Sequence, residues 1–249
     1  MGGVKPTPRL FALVLLVVAI FVPALRADAL LLHAREAQAR LGAEVWSRVI
    51  RIENQTPVQG YPKVVHALVF ELAGVLWFYD AAHGTQSFSL HRGRLAAEKA
   101  DFAPLLRDIH AGFGSWSVVP DRAGGKSARR VLRNGCFIES VVALRERLGR
   151  GDEVVRPHLL SYYVKSNDGV LGHTVLAYET GDRVEIVDSA DPGRPFTFPA
   201  TLGRDALRLA RAMLGQSVAA ARLISLEPAV ATGLFSAAVA ASAPVAGME

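Results

Sequence analysis

Three residues of this 249-residue sequence carry side chains that together suit nucleophilic catalysis. Cys136, the one cysteine in the chain, opens an apolar pattern that predicts a helix over residues 136–148. His173 follows 37 residues later at the start of a predicted strand, and Asp188 ends the next predicted strand after 15 more residues. A thiolate is a nucleophile, a histidine transfers its proton, and a carboxylate on the second ring nitrogen fixes the histidine tautomer. These residue types predict a Cys–His–Asp triad.

The predicted secondary structure favours contact between these residues. The positive end of a helix and a neighbouring imidazolium both lower the pKa of a thiol. The turn at residues 180–182 joins the two strands, so His173 and Asp188 lie at the open end of one hairpin and share a face if the register is right. Asp191 is the alternative acid. The alternative to catalysis is that Cys136 is a buried structural thiol, His173 a structural histidine and Asp188 a turn-forming aspartate.

The motifs resemble those of a known superfamily. A cysteine at a helix start, Gly-His-Thr-Val-Leu-Ala-Tyr at residues 172–178 and Asp-Ser-Ala-Asp-Pro-Gly at residues 188–193 are similar to the papain-like cysteine peptidases, in particular their bacterial transglutaminase-like branch. The likeness covers roughly residues 118–195. It implies that Cys136 is the nucleophile, His173 the base and Asp188 the orienting acid. It also implies a thioester intermediate, a peptide or protein substrate, and no metal or organic cofactor.

The resemblance leaves the oxyanion donor open. Papain has a glutamine a few residues before its cysteine, whereas no glutamine lies between Trp116 and Cys136 in this sequence. Gln86 and Trp116 are the side-chain candidates for this role, and the backbone N–H of Cys136 is a third donor.

The remaining pattern predicts the elements that must position these residues. Turn signals and alternating apolar residues predict two groups of strands separated by helices, which is an α+β order rather than a doubly wound parallel sheet. The resemblance adds a papain-like or transglutaminase-like core, with the cysteine-bearing helix packed on an antiparallel sheet. The predicted helices cover residues 30–51, 102–112, 136–148 and 204–214, the predicted strands cover 65–70, 75–79, 86–90, 159–165, 173–179 and 183–188, and 118–135 reads as a basic loop.

The N-terminus has the pattern of an export signal. Lys5 and Arg9 precede a charge-free apolar run over residues 10–25, which is followed by the small-x-small site at residues 27–29. We therefore expect residues 1–29 to be a signal peptide, with an uncleaved N-terminal membrane anchor as the alternative. Residues 30–228 are expected to form a single papain-like α+β domain and 229–249 a flexible Ala-rich tail. The expected location is periplasmic or extracellular.

Composition narrows the function classes. Apolar residues make up 51% of the chain and charged residues 20%, which allows a sizeable core and excludes global disorder. The net charge of +5 is spread along the chain, so we expect no nucleic-acid partner. A lone thiol cannot form an internal disulfide, and the seven histidines show no metal-ligand spacing. The sequence thus predicts an exported cysteine hydrolase or acyltransferase. The alternative is a catalytically inactive relative that serves as an envelope binding or processing module.

Overall fold

A computed structural model describes residues 27–55, 62–88, 101–109, 112–120, 132–166, 169–215 and 217–235. Over these residues the fold is α+β, as predicted, with five α-helices and two five-stranded antiparallel sheets.

The N-terminal half builds the first sheet. Its strand order is β4-β3-β2-β1-β5. The elements in chain order are the helix α1 (27–41), β1 (Ser47–Asn54), β2 (Val64–Leu72), β3 (Val75–Asp80), β4 (Gly84–Phe88), the helix α2 (Ala103–Ile109) and β5 (Phe113–Val118).

The C-terminal half builds the second sheet. Its strand order is β10-β6-β7-β8-β9. The elements in chain order are the helix α3 (Cys136–Gly149), β6 (Val155–Ser166), β7 (Gly169–Thr180), β8 (Arg183–Val187), β9 (Phe196–Pro199), a 3-10 turn (Ala200–Leu202), α4 (Ala206–Leu214), β10 (Val218–Ser225) and α5 (Glu227–Ala231).

Helix α3 packs against both sheets. Its Phe137 ring lies 4.5 Å from the Trp77 ring of β3 and 6.1 Å from the Phe70 ring of β2, measured between centroids. The buried residues of α3 share one apolar cluster with Leu159 of β6 and Leu176 of β7. Burial of this apolar surface is the main term that holds α3 in place, and with it the position of Cys136.

The sequence interpretation was wrong for residues 42–51. The helix ends at residue 41, because Gly42 adopts a left-handed φ of 85°, and residues 47–54 form the strand β1. Apolar residues at helical spacing had predicted a continuous helix. Ile50 and Ile52 are β-branched and fully buried between β2 and β5, where the pleated surface suits them better than a helix does.

Other parts of the chain also differ from the predicted elements. The sequence interpretation included neither β5 nor the two strands β9 and β10 of the second sheet. In the segment expected to be a flexible tail, Ala229 and Phe235 are buried in the cluster around α3, and residues 236–249 lie outside the described residues. So do residues 1–26 of the expected signal and residues 121–131 of the basic loop, whereas residues 27–29 belong to α1. Within the described ranges, no helix is both long and apolar enough to cross a membrane.

Candidate active site

Cys136 is the first residue of α3, and the loop before it sets its position. Asn134 adopts a left-handed φ of 52°, a conformation that asparagine tolerates better than most residues. Its side-chain amide donates to the backbone oxygens of Ala81 and Ala82, at 3.1 and 2.9 Å, and so fastens this loop to the β3–β4 turn. Gly135 is required because a Cβ there would lie 2.3 Å from the Leu132 Cβ. The cysteine is therefore held at a fixed point between the two sheets.

His173 and Asp188 form a hydrogen-bonded pair, as the hairpin predicts. The His173 Nε2 atom lies 3.0 Å from the Asp188 Oδ2 atom. The register pairs Ala177 with Ile186. Side chains two or four residues apart on a strand point to the same face. His173, four residues before Ala177, and Asp188, two residues after Ile186, therefore lie on the same face of the sheet. The last pair is Leu176 with Val187, which places Asp188 just beyond the ladder and diagonal to His173.

Both oxygens of the Asp188 carboxylate have partners. Oδ2 contacts His173, and Oδ1 accepts the backbone N–H of Ala190 at 2.9 Å. Asp191, the alternative acid, is exposed and donates its backbone N–H to the Asp188 carbonyl oxygen. The structure therefore brings Asp188 to the histidine.

Cys136 and His173 interact through their side chains, and each shifts the pKa of the other. Because Asp188 occupies Nε2, the ring nitrogen left for the thiol is Nδ1. The hydrogen bond to Cys136 raises the pKa of His173 to about 9, against the opposing effect of burial and with added support from the Asp188 charge. Burial disfavours the Cys136 thiolate, but hydrogen bonds to His173 and Thr174 outweigh it and lower the pKa of Cys136 below its ordinary value. These shifts favour a thiolate–imidazolium pair near neutral pH.

The pair opens into a cleft of about 890 Å³ that both sheets line. Gly84 and Thr85 of β4 form part of one wall, and residues of β6 and β7 form another. Three large apolar side chains at this wall are exposed to solvent: Tyr163 at 46%, Val170 at 63% and Leu171 at 65%. The cleft therefore offers an apolar rim next to a polar centre.

The two side-chain oxyanion candidates have different surroundings. Gln86 lies on β4 opposite Phe78 and directly follows Thr85, although its side chain is outside the described residues. Trp116 lies on β5, where its Nε1 donates to Asp101 Oδ1 at 3.3 Å and its ring packs against Phe102. The structure does not bring Trp116 to the thiol, because β5 and β4 are opposite edges of the first sheet and the cleft adjoins β4.

Sequence reasoning missed residues that line the cleft, among them His83 and Thr174, and it missed Asp80, which holds His83 in place. Asp80 is 1% exposed, and its Oδ1 accepts the backbone N–H groups of Ala82 and His83 and lies 3.1 Å from the His83 Nδ1. His83 in turn lines the cleft. The Asp-x-x-His spacing is a local signal for this pair, because an aspartate often binds the backbone two or three residues ahead. Thr174 gives no comparable signal, since its role depends on strands that lie far apart in sequence.

A thiolate at the start of a helix, beside an imidazolium in an open cleft, can attack an electrophilic carbonyl carbon. In the part of the chain that the structure describes, no cluster of three or more histidine, cysteine or acidic side chains could hold a metal ion. No protein-family model, curated protein or solved structure matches this chain.

Proposed function

We propose that this protein is an exported cysteine hydrolase or acyltransferase that cleaves an amide or ester bond through Cys136, His173 and Asp188. The observation that carries the proposal is an open cleft lined by both Cys136 and His173, in which His173 is hydrogen-bonded to Asp188 and interacts with the Cys136 thiol. The resemblance to the bacterial transglutaminase-like branch of the papain-like peptidases supports it further, because members of that branch use Cys, His and Asp in the same chain order.

The geometry supports a two-step reaction. The Cys136 sulfur attacks the carbonyl carbon, a C–S bond forms, and the imidazolium of His173 gives its proton to the leaving amine or alcohol as the C–N or C–O bond breaks. A water molecule or an amine then attacks the thioester carbon and gives a proton to His173. The C–S bond breaks, the acyl group leaves as an acid or an amide, and the thiolate–imidazolium pair is restored. Asp188 keeps the ring in the required tautomer throughout.

The start of α3 supplies the donors for the oxyanion. The first N–H groups of a helix have no partner within the helix, and Gly135 caps α3 without any side-chain hydrogen bond. A carbonyl carbon bonded to the Cys136 sulfur puts its oxygen near these N–H groups, where the helix dipole favours negative charge. In this proposal the backbone N–H of Cys136 is the principal donor.

The rim of the cleft favours a substrate with an apolar side chain. Tyr163, Val170 and Leu171 expose large apolar side chains beside His173, and such surface gains free energy when it is covered. A peptide or protein chain with an apolar residue next to the cleaved bond matches this surface. The basic and apolar pattern of residues 1–29 is the support for export.

The test is the pH dependence of Cys136 alkylation by iodoacetamide in the wild type and in His173→Ala. The chain has a single thiol, so the rate reports this residue alone. We expect an apparent pKa well below ~8.5, the value of a free thiol, in the wild type and a return toward that value in the variant. His158→Ala is the matched control, because His158 lies on β6 and its Nδ1 binds the Arg156 carbonyl oxygen instead.

Slow alkylation with an ordinary pKa in all three proteins would refute the catalytic proposal. That result would leave the fold as a binding or processing module. Fast alkylation that depends on His173 would justify a search for substrates among peptides with apolar residues, comparing water with added amines as the second nucleophile.

A further inference from the structure

Two buried hydroxyl groups lie beneath the candidate nucleophile. Ser161 of β6 and Thr174 of β7 form a directly opposed pair and are each 7% exposed. Their oxygens, Ser161 Oγ and Thr174 Oγ1, lie 2.9 Å apart. Both residues also line the cleft that contains Cys136.

Thr174 is tied to Cys136 at several points. Its backbone and its side chain both act on the thiol and lower the pKa of Cys136. The Ser140 hydroxyl, one helical turn further along α3, lies 2.8 Å from the Cys136 carbonyl oxygen and 3.1 Å from that of Thr174. β8 pairs with β7 only as far as Leu176, opposite Val187. Among the described residues no strand lies on that side of β7 at Thr174, and the first turn of α3 contacts it there.

The number of available protons determines which hydroxyl donates in the hydrogen bond between Ser161 and Thr174. Each hydroxyl has one proton to donate. A thiolate only accepts, so the Thr174 hydroxyl proton points to the Cys136 sulfur, and the Ser161 hydroxyl must then donate to Thr174 Oγ1. The hydrogen bonds in such a chain strengthen one another, because each bond polarises the next.

We propose that Ser161 and Thr174 form a hydroxyl relay that donates to the Cys136 sulfur and stabilises the thiolate in addition to His173. This proposal rests on the proposed function, since it concerns the same nucleophile. Thr174 and Ser161 are positioning residues in this scheme: they hold the charge on the sulfur, while His173 transfers the proton.

Other ionisable groups around the sulfur do not replace the relay. Burial raises the pKa of Tyr162, on β6, to about 12 and also raises that of Tyr79, on β3, so both stay neutral below pH 9. On α3 itself, Glu139 is ion-paired with Arg40 of α1. Arg222 of β10 and His83 of the β3–β4 turn also line the cleft. Among the described residues, the charge that acts on the Cys136 thiol is that of His173, whose partner is Asp188.

The experiment measures the apparent pKa of Cys136 by iodoacetamide alkylation in Thr174→Val, Thr174→Ser and Ser161→Ala. Valine keeps the shape and strand preference of threonine but lacks the hydroxyl. We expect Thr174→Val to raise the pKa by about one unit, which slows alkylation about tenfold at a pH below the pKa. Thr174→Ser should restore the wild-type pKa, and Ser161→Ala should give a smaller rise. Thr180→Val, at the other end of β7, is the control.

The outcomes separate this inference from the proposed function. If the wild type has a low thiol pKa that depends on His173, and Thr174→Val leaves it unchanged, the relay is refuted while the proposed function stands. If Thr174→Val does not fold, an unchanged pKa in Ser161→Ala refutes the relay. An ordinary thiol pKa in the wild type refutes both. A rise in Thr174→Val with recovery in Thr174→Ser supports the relay, because a purely structural role would not respond to the hydroxyl alone.

Discussion

Removing the thiol should lower the pKa of His173, and this prediction tests the ion pair directly. In the structure the pKa of His173 is about 9 against an ordinary value of 6.5, and the hydrogen bond to Cys136 is the largest cause of the rise. In Cys136→Ala that cause is absent while burial still lowers the pKa. The carboxylate of Asp188 stays 3.0 Å from Nε2 and still raises it. An opposite charge at this distance shifts a pKa by about 1–3 units.

The expected pKa of His173 in Cys136→Ala is therefore between about 7 and 8, a fall of about 1–2 units. The sign follows from the thiolate, because a negative charge stabilises the imidazolium and its removal favours the neutral ring. The measurement is an NMR titration of the imidazole Cε1–H groups, with the His173 signal identified by its loss in His173→Ala.

Two results would refute this reasoning. A His173 that titrates near 9 in both proteins would show that the thiol contributes nothing and that Asp188 alone sets the charge. A His173 that titrates near 6.5 in the wild type would show that no ion pair forms.

Three further predictions concern the surroundings of the pair. Asp188→Asn should lower the pKa of His173 by about one unit, seen in the same NMR titration, because the charge 3.0 Å from Nε2 is lost; an unchanged titration would contradict the assigned contact. Gly84→Ala should lower the free energy of unfolding by about 1–2 kcal/mol, measured by urea denaturation, because Gly84 has a φ of 80° and a Cβ there would lie 3.2 Å from the Asn134 carbonyl oxygen. Gly74→Ala is the control: its φ is 78° and no atom lies within 4 Å of the added Cβ, so it shows the cost of the backbone strain without the close contact. Leu171→Ser should reduce the rate of inactivation by N-benzyl iodoacetamide severalfold while leaving the rate with iodoacetamide unchanged, and an equal loss with both reagents would mean that the rim does not recognise apolar groups.

The parts of the site that the sequence predicted depend on local pattern. The helix that begins at Cys136 has a regular apolar spacing, and the turn at Gly181 fixes the hairpin that brings Asp188 to His173. In both cases the decisive residues lie within a few positions of one another or across one tight turn. Short-range physics is sufficient to place them.

The parts that the sequence did not predict depend on pairing between distant segments. β10 joins β6 some 60 residues away and completes the second sheet, although its Ala-rich sequence has weak strand preference. The approach of Thr174 to Cys136 requires α3 to lie beside the stretch of β7 that β8 does not pair, and no local pattern specifies this. The contact between the loop before α3 and the β3–β4 turn is also invisible to a local pattern, because Asn134 and Ala81 are 53 positions apart.

The apolar cluster around α3 also determines when the chain becomes reactive. The partners that lower the thiol pKa, His173 and Thr174, lie 37 and 38 residues downstream of Cys136, and α3 reaches them only when it is buried between the two sheets. An unfolded chain thus carries an ordinary, mostly protonated thiol. In the proposed function, assembly of both sheets therefore acts as an intrinsic safeguard: the thiol stays unreactive during synthesis and export and becomes a nucleophile only in the completed fold.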